Sequence, residues 1–131
     1  MTSEIRQKIE LHQMWHNGEK GGKRADLSGE DISGLDLSGV DLSGAKLIDT
    51  NFSNTDLNGA NLGYTILYGA NFSKANISSV DFSLSNLSYV NMSGADARCT
   101  SFCDTDISYA LFRETNFHDT NLSGSTLFNV E

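Results

Sequence analysis

From Ala25 onward one large apolar residue returns at every fifth position. The series opens with Leu27, Ile32, Leu37, Leu42, Leu47 and Phe52 and closes with Phe112, Phe117, Leu122 and Leu127. It makes 21 units in one register, and only Ala97 departs from a large apolar side chain. Two positions before each centre stands a small or β-branched residue, with Glu30 and Leu35 as exceptions. The residue between is Asp or Asn in 16 of the 21 units; Lys46, Ile66, Ser101, Leu111 and Thr126 are the departures. Two mostly small polar residues follow, often Ser-Gly. A period of five fits neither a straight helix nor a continuous strand. It fits a short extended segment that points in, out and in, followed by a corner of turn-forming residues. A chain that turns the same way after every unit winds into a coil, and stacked coils pair as parallel strands about 4.8 Å apart. No unit can bury its inward side chains alone, so stability comes from stacking.

The units Ala25-Asp26-Leu27-Ser28-Gly29, Ala60-Asn61-Leu62 and Ala70-Asn71-Phe72 resemble the A-(D/N)-L-x-x signature of the pentapeptide-repeat proteins. The resemblance covers residues 25–129. It implies an all-β solenoid, a right-handed quadrilateral parallel β-helix with one unit on each of four sides. Four sides make a coil of 20 residues, hence about five coils and a length of about 25 Å. On that frame the first face stacks Leu27, Leu47, Leu67, Leu87, Ile107 and Leu127. The second stacks Ile32, Phe52, Phe72, Met92 and Phe112. The third stacks Leu37, Leu57, Ile77, Ala97 and Phe117, and the fourth Leu42, Leu62, Phe82, Phe102 and Leu122. A void is expected at Ala97, with Phe117 or Phe102 leaning into it.

Residues 1–24 lack the repeat. Thr2 or Ser3 can cap a helix that runs to about His16 and stops at Asn17-Gly18. Ile5, Ile9 and His12 lie along one side of it, with Leu11 and Trp15 on an adjoining side. The chain thus divides into a helix and linker, 1–24, and a solenoid, 25–131. The helix is expected to cover the apolar edge of the first coil, as solenoid ends require; a partner-binding helix is the other reading. The last coil has no matching lid. An end-to-end homodimer through that C-terminal coil is therefore expected.

Charge narrows the partners. The chain has 9 basic and 17 acidic residues, a formal charge of −8. Residues 1–24 carry +2 and residues 25–131 carry −10. Direct binding to nucleic acid is not expected, because phosphate contacts need clustered Lys and Arg. No segment reads as a membrane span or a signal peptide, and the cytoplasm is the expected location.

Little in the chain resembles a catalytic or metal centre. His12 and His16 stand four apart, a spacing that can bind zinc, but no Cys or carboxylate pattern completes a site. Cys99 and Cys103 read as free thiols. Gly18-Glu19-Lys20-Gly21-Gly22-Lys23-Arg24 is a linker: a phosphate loop would need Gly where Asn17 stands and Ser or Thr in place of Arg24. His118 beside Asp119 reads as surface. No cofactor and no enzymatic activity are expected.

One side of the solenoid stands out. Outward or corner positions of the first face hold Ile48, Ile66, Tyr68, Tyr89, Tyr109 and Phe128, with Tyr64 and Leu111 adjoining, where other faces show Ser, Asn, Asp and Gly. This apolar, Tyr-rich stripe is a candidate surface for an unidentified protein partner. The alternatives are scattered surface residues or packing against the helix. The expected function is a non-catalytic interaction or structural module. The second function hypothesis comes from the resemblance. Pentapeptide-repeat proteins of the quinolone-resistance type protect type II topoisomerases by presenting an acidic, DNA-like rod, and the charge of the solenoid suits that in sign.

Overall fold

The computed structural model describes residues 1–131. Helix α1 spans Ser3–His16 and is followed by a solenoid that occupies the rest of the chain. Seventeen parallel bridges pair each outward residue with the one 20 positions on, from Asp26↔Lys46 to Asp106↔Thr126. The coil therefore closes every 20 residues, and the structure is a right-handed quadrilateral β-helix. Two hydrogen bonds make each step of the ladder: Leu27 N–H donates to the Lys46 carbonyl at 2.9 Å, and Lys46 N–H to the Ala25 carbonyl at 3.0 Å. These segments are too short to register as extended strands; each is one bridge between two turns.

The centres form the core. Leu47, Leu67 and Leu87 are all 0% exposed and stack as one ladder, as do the centres of the other faces. Phe52 lies on Phe72 with ring centroids 4.7 Å apart, and Phe82 on Phe102 at 5.3 Å. Each such side chain contributes about 1.5–3 kcal/mol by burial. Four of the five buried threonines at the small inward position, Thr50, Thr55, Thr100 and Thr105, turn their hydroxyls to carbonyls of the preceding coil, Thr50 to Leu27 at 2.9 Å, whereas Thr65 turns to Leu62 of its own coil. Ala97 is fully buried, and neither of the two cavities in the molecule borders it. Phe102 keeps to its own ladder, and Phe117 meets Phe112 edge-on at 4.9 Å.

Two local devices make the corners. At all 16 units with Asp or Asn in the outward position, the side-chain Oδ1 accepts the N–H two residues on, as Asp31 does from Ser33 and Asn91 from Ser93. This Asx turn explains the column better than surface wetting does. The second residue after every centre has a left-handed backbone, 21 of 21 units, although 13 of these residues are not glycine. The first coil has glycine at all four such corners, Gly29, Gly34, Gly39 and Gly44. Later coils place Tyr64, Leu84, Tyr89 and Tyr109 there at φ of 56–63°. A left-handed backbone costs a residue with a Cβ about 1–2 kcal/mol.

Helix α1 closes the N-terminal end. Thr2 is its cap, with Oγ1 accepting the Ile5 N–H at 3.2 Å. Ile5 and His12 are buried against the first coil, and Ile9 packs beside them. Lys8 reaches Glu30 at 3.0 Å, which accounts for the acidic residue at that irregular unit; the hydrogen bond to Glu30 raises the Lys8 pKa. A Cβ on Gly22 would overlap the backbone of Trp15, so the linker passes directly over the helix.

Candidate interaction surface

The 20-residue coil decides which side chains become neighbours. Tyr89 and Tyr109 occupy the same corner of successive coils, and their rings stack at 4.6 Å, 8° from parallel. Tyr68 tilts against Tyr89 at 5.2 Å, and Phe128 meets the edge of Tyr109 at 5.5 Å. These four side chains form one continuous aromatic ladder along the corner between the first and second faces. All four are exposed, Phe128 to 59%. Ile48 and Ile66 are half-buried beside them. Leu111, also half-buried, lines a shallow groove with Tyr89, Tyr109, Asn129, Val130 and Glu131.

Tyr64 lies on the opposite edge of the first face, at the corner it shares with the fourth. It is 68% exposed and is joined in the next coil by Leu84, 50% exposed. In the preceding coil the same corner is Gly44, and the Trp15 indole covers it. The first face is thus bordered by two apolar columns, Trp15-Tyr64-Leu84 and Tyr68-Tyr89-Tyr109-Phe128, with Ile66 between them. Trp15 and Leu84 were not among the residues singled out from the sequence. The 20-residue column of positions 44, 64 and 84 carries the signal for Leu84; the path of α1, which brings in Trp15, has no counterpart in the repeat.

The surface is built at local expense. Ile66 and Leu111 stand where an Asp or Asn would accept the turn amide. The N–H groups of Tyr68 and Arg113 accordingly have no acceptor within the protein. At the other three departures an oxygen is still within reach: Ser28 Oγ for Ile48 N–H, Ser101 Oγ for Cys103 N–H and Ser108 Oγ for Phe128 N–H. Two Asx turns are given up at the apolar surface and its rim, and four bulky side chains sit in left-handed corners there.

The other candidate groups are placed differently. His12 is fully buried with both ring nitrogens bound to backbone, so it offers nothing to a metal. His16 faces Asp41 at 3.3 Å. His118 and Asp119 pair at 3.2 Å on the open surface. Cys99 is exposed, Cys103 partly so, and both are free thiols. A cleft between α1 and the first coil gathers Lys8, Lys23 and Arg24, but Lys8 is held by Glu30, Arg24 Nε donates to the Gly44 carbonyl, and Asp26 faces in. No helix is long and apolar enough to cross a membrane.

The repeat and the coil are also found by comparison. The pentapeptide repeats family matches in eight copies, over residues 25–63, 36–73, 65–102 and 98–130. The chain belongs to the pentapeptide-repeat family. A pentapeptide-repeat protein from the thylakoid lumen of Arabidopsis thaliana is 31% identical, with 81% of this chain and 67% of that one covered and a TM-score of 0.51. The pentapeptide-repeat protein Rfr23 of the cyanobacterium Cyanothece 51142 is 16% identical, with 95% and 96% covered and a TM-score of 0.56. QnrB1, a plasmid-mediated fluoroquinolone resistance protein, is 19% identical, with 82% and 76% covered and a TM-score of 0.46. No curated protein matches the sequence. The pentapeptide-repeat frame is what puts the two apolar columns on one face.

Proposed function

We propose that this pentapeptide-repeat protein is a non-catalytic interaction module whose first face binds a protein partner. The observation that carries this reading is the pairing of Ile66 with the unbonded Tyr68 amide. At that point an apolar side chain replaces a turn-stabilising one, and the loss coincides with exposed aromatics. Local rules are broken where function overrides stability. Tyr89 and Tyr109 stack face to face and still remain 50% and 39% exposed. That suits a protein contact rather than stacking on sugars or bases. Capture of partners from the producing cell, repeated with Tyr68→Ser and Tyr89→Ser, tests it. The reading predicts one specific protein lost with both substitutions; equal capture by all three chains overturns it.

A second copy of the chain also suits the last coil. Leu122 and Leu127 are 37% and 43% exposed there, and the amides of Phe117, Leu122 and Leu127 lack the acceptors their counterparts find one coil on. A dimer in light scattering at tens of micromolar is expected, and a monomer counts against it.

The alternative is an acidic DNA mimic that binds or protects a type II topoisomerase. It draws on the −10 charge of residues 25–131 and on the third face, whose outward column runs Asp36, Asp56, Asn76, Asp96 and Asn116. A gyrase supercoiling assay with and without a quinolone separates it from the first reading. No effect at micromolar protein removes it.

A further inference from the structure

The first coil has no coil before it, so its edge groups must find partners elsewhere. In most later units of the array the residue at Ala25's position donates its amide to the preceding centre, as Ala45 does to Leu42 at 3.0 Å; Ala25 has no preceding centre. Its N–H donates instead to His12 Nδ1 at 3.0 Å. Likewise the Ser43 carbonyl, whose counterparts accept from an earlier coil, takes the His12 Nε2–H at 3.0 Å. One imidazole therefore replaces two missing backbone partners. The arrangement requires a single form of the ring, neutral with the proton on Nε2. His12 is 0% exposed, and the Trp15 indole lies over it at 5.2 Å.

We propose that α1 is a proton-released lid, held by neutral His12 and loosened when a proton on Nδ1 removes the acceptor for Ala25 N–H and places a charge in a site closed to solvent. Lid release uncovers Leu27, Ile32, Leu37 and Leu42 and the open edge of the first coil, and it withdraws Trp15 from the first face. The groups facing His12 are His16 and Trp15 from the helix, Arg24 from the linker, and Asp41 and the Ser43 carbonyl from the coil. Burial depresses the His12 pKa as the largest effect; the Ser43 carbonyl and Asp41 oppose it, and His16 and Arg24 add to it. A depressed histidine leaves the lid fully held above its free value of about 6.5 and progressively weaker as pH falls below it.

Trp15 is the single tryptophan of the chain, so its fluorescence reports the lid directly. The experiment lowers pH from about 7.5 to about 5, where only histidine titrates among unperturbed side chains. It follows Trp15 emission and the amide exchange of α1 relative to Leu67 in the solenoid. The opening constant of α1 is expected to rise on the order of tenfold, with Leu67 unchanged. His12→Asn, which keeps an acceptor near the Nδ1 position but cannot titrate, is expected to abolish the rise. His16→Gln, which removes the neighbour of Asp41, is expected to keep it. If His12→Asn does not fold, the imidazole resonance of His12 in the natural chain gives the answer. Protonation coincident with loss of α1 protection supports the lid; protonation with α1 still protected, or an unchanged response in His12→Asn, overturns it.

Discussion

The ring of Tyr89 lies on that of Tyr109, 4.6 Å away and nearly parallel, although 20 residues separate them in the chain. That spacing is the rise of one coil, so the stack follows from the backbone ladder. Both residues hold left-handed backbones, at φ of 63° and 60°, where most corners of the first coils use glycine. The surface and the scaffold therefore compete for the same positions.

Ile66 is the clearest point of competition. Ile66→Asn restores an Asx turn to the Tyr68 amide and should stabilise the protein by about 0.5–1.5 kcal/mol. The same change removes the apolar centre of the first face. The expected result is a higher denaturation midpoint together with weaker partner capture. Urea unfolding and the capture assay check the two halves.

Ser79 is an exposed corner residue at φ 57°, with no side-chain hydrogen bond. Ser79→Gly relieves about 1–2 kcal/mol of backbone strain. It also frees the unfolded chain, at a cost of about 0.4–1 kcal/mol. A net gain of up to about 1.6 kcal/mol is expected in urea unfolding, with no effect on partner capture.

Ala97 is fully buried beside no cavity. A leucine there adds three carbons to a site with no exposed surface, so it is expected to push its neighbours aside. Ala97→Leu is expected to destabilise by about 1–3 kcal/mol. A thermal melt reads this directly; a stabilised variant would mean that the Phe112–Phe117 pair leaves usable space.

Asp36 accepts from the Ser38 hydroxyl at 2.7 Å and the Ser38 amide at 3.0 Å, and these bonds, the hydroxyl first, hold its carboxyl below the ordinary value. A carboxyl lowered by folding contributes stability that is complete above its unfolded value and is lost as pH falls through the folded one. The window opens near pH ~3.9 and extends downward. Asp36→Asn keeps the Asx turn, as Asn does elsewhere in the array, and should flatten this acid limb while leaving neutral stability nearly unchanged. Thermal melts at neutral pH and below about pH 4 compare the two.

The ladder of Leu47, Leu67 and Leu87 was legible in the sequence because a strict register leaves one way to place it. The helix and its cap at Thr2 were legible for the same kind of reason, a local signal followed by a stop at Gly18. The left-handed corners were less so. Gly29 and Gly34 announce them, but Lys74, Leu84 and Tyr109 do not, since there the stacked coils impose the conformation against the preference of the residue. The surface was read in part: Tyr68, Tyr89, Tyr109 and Phe128 form the expected column, but Leu84 and Trp15 join through a shared corner and through the docking of α1. The packing around Ala97 was not legible from register alone: Phe102 stacks on Phe82 in its own ladder, and Phe117 meets Phe112 edge-on.

The coil closes after 20 residues without exception, and this restricts how the chain can change in length. Adding or deleting a single five-residue unit would keep every inward side chain inward, yet turn all that follows by a quarter of the circumference. Tyr109 would then no longer lie beneath Tyr89, and the two halves of the aromatic column would point in different directions. Growth or shortening that keeps the column aligned has to come in whole multiples of four units.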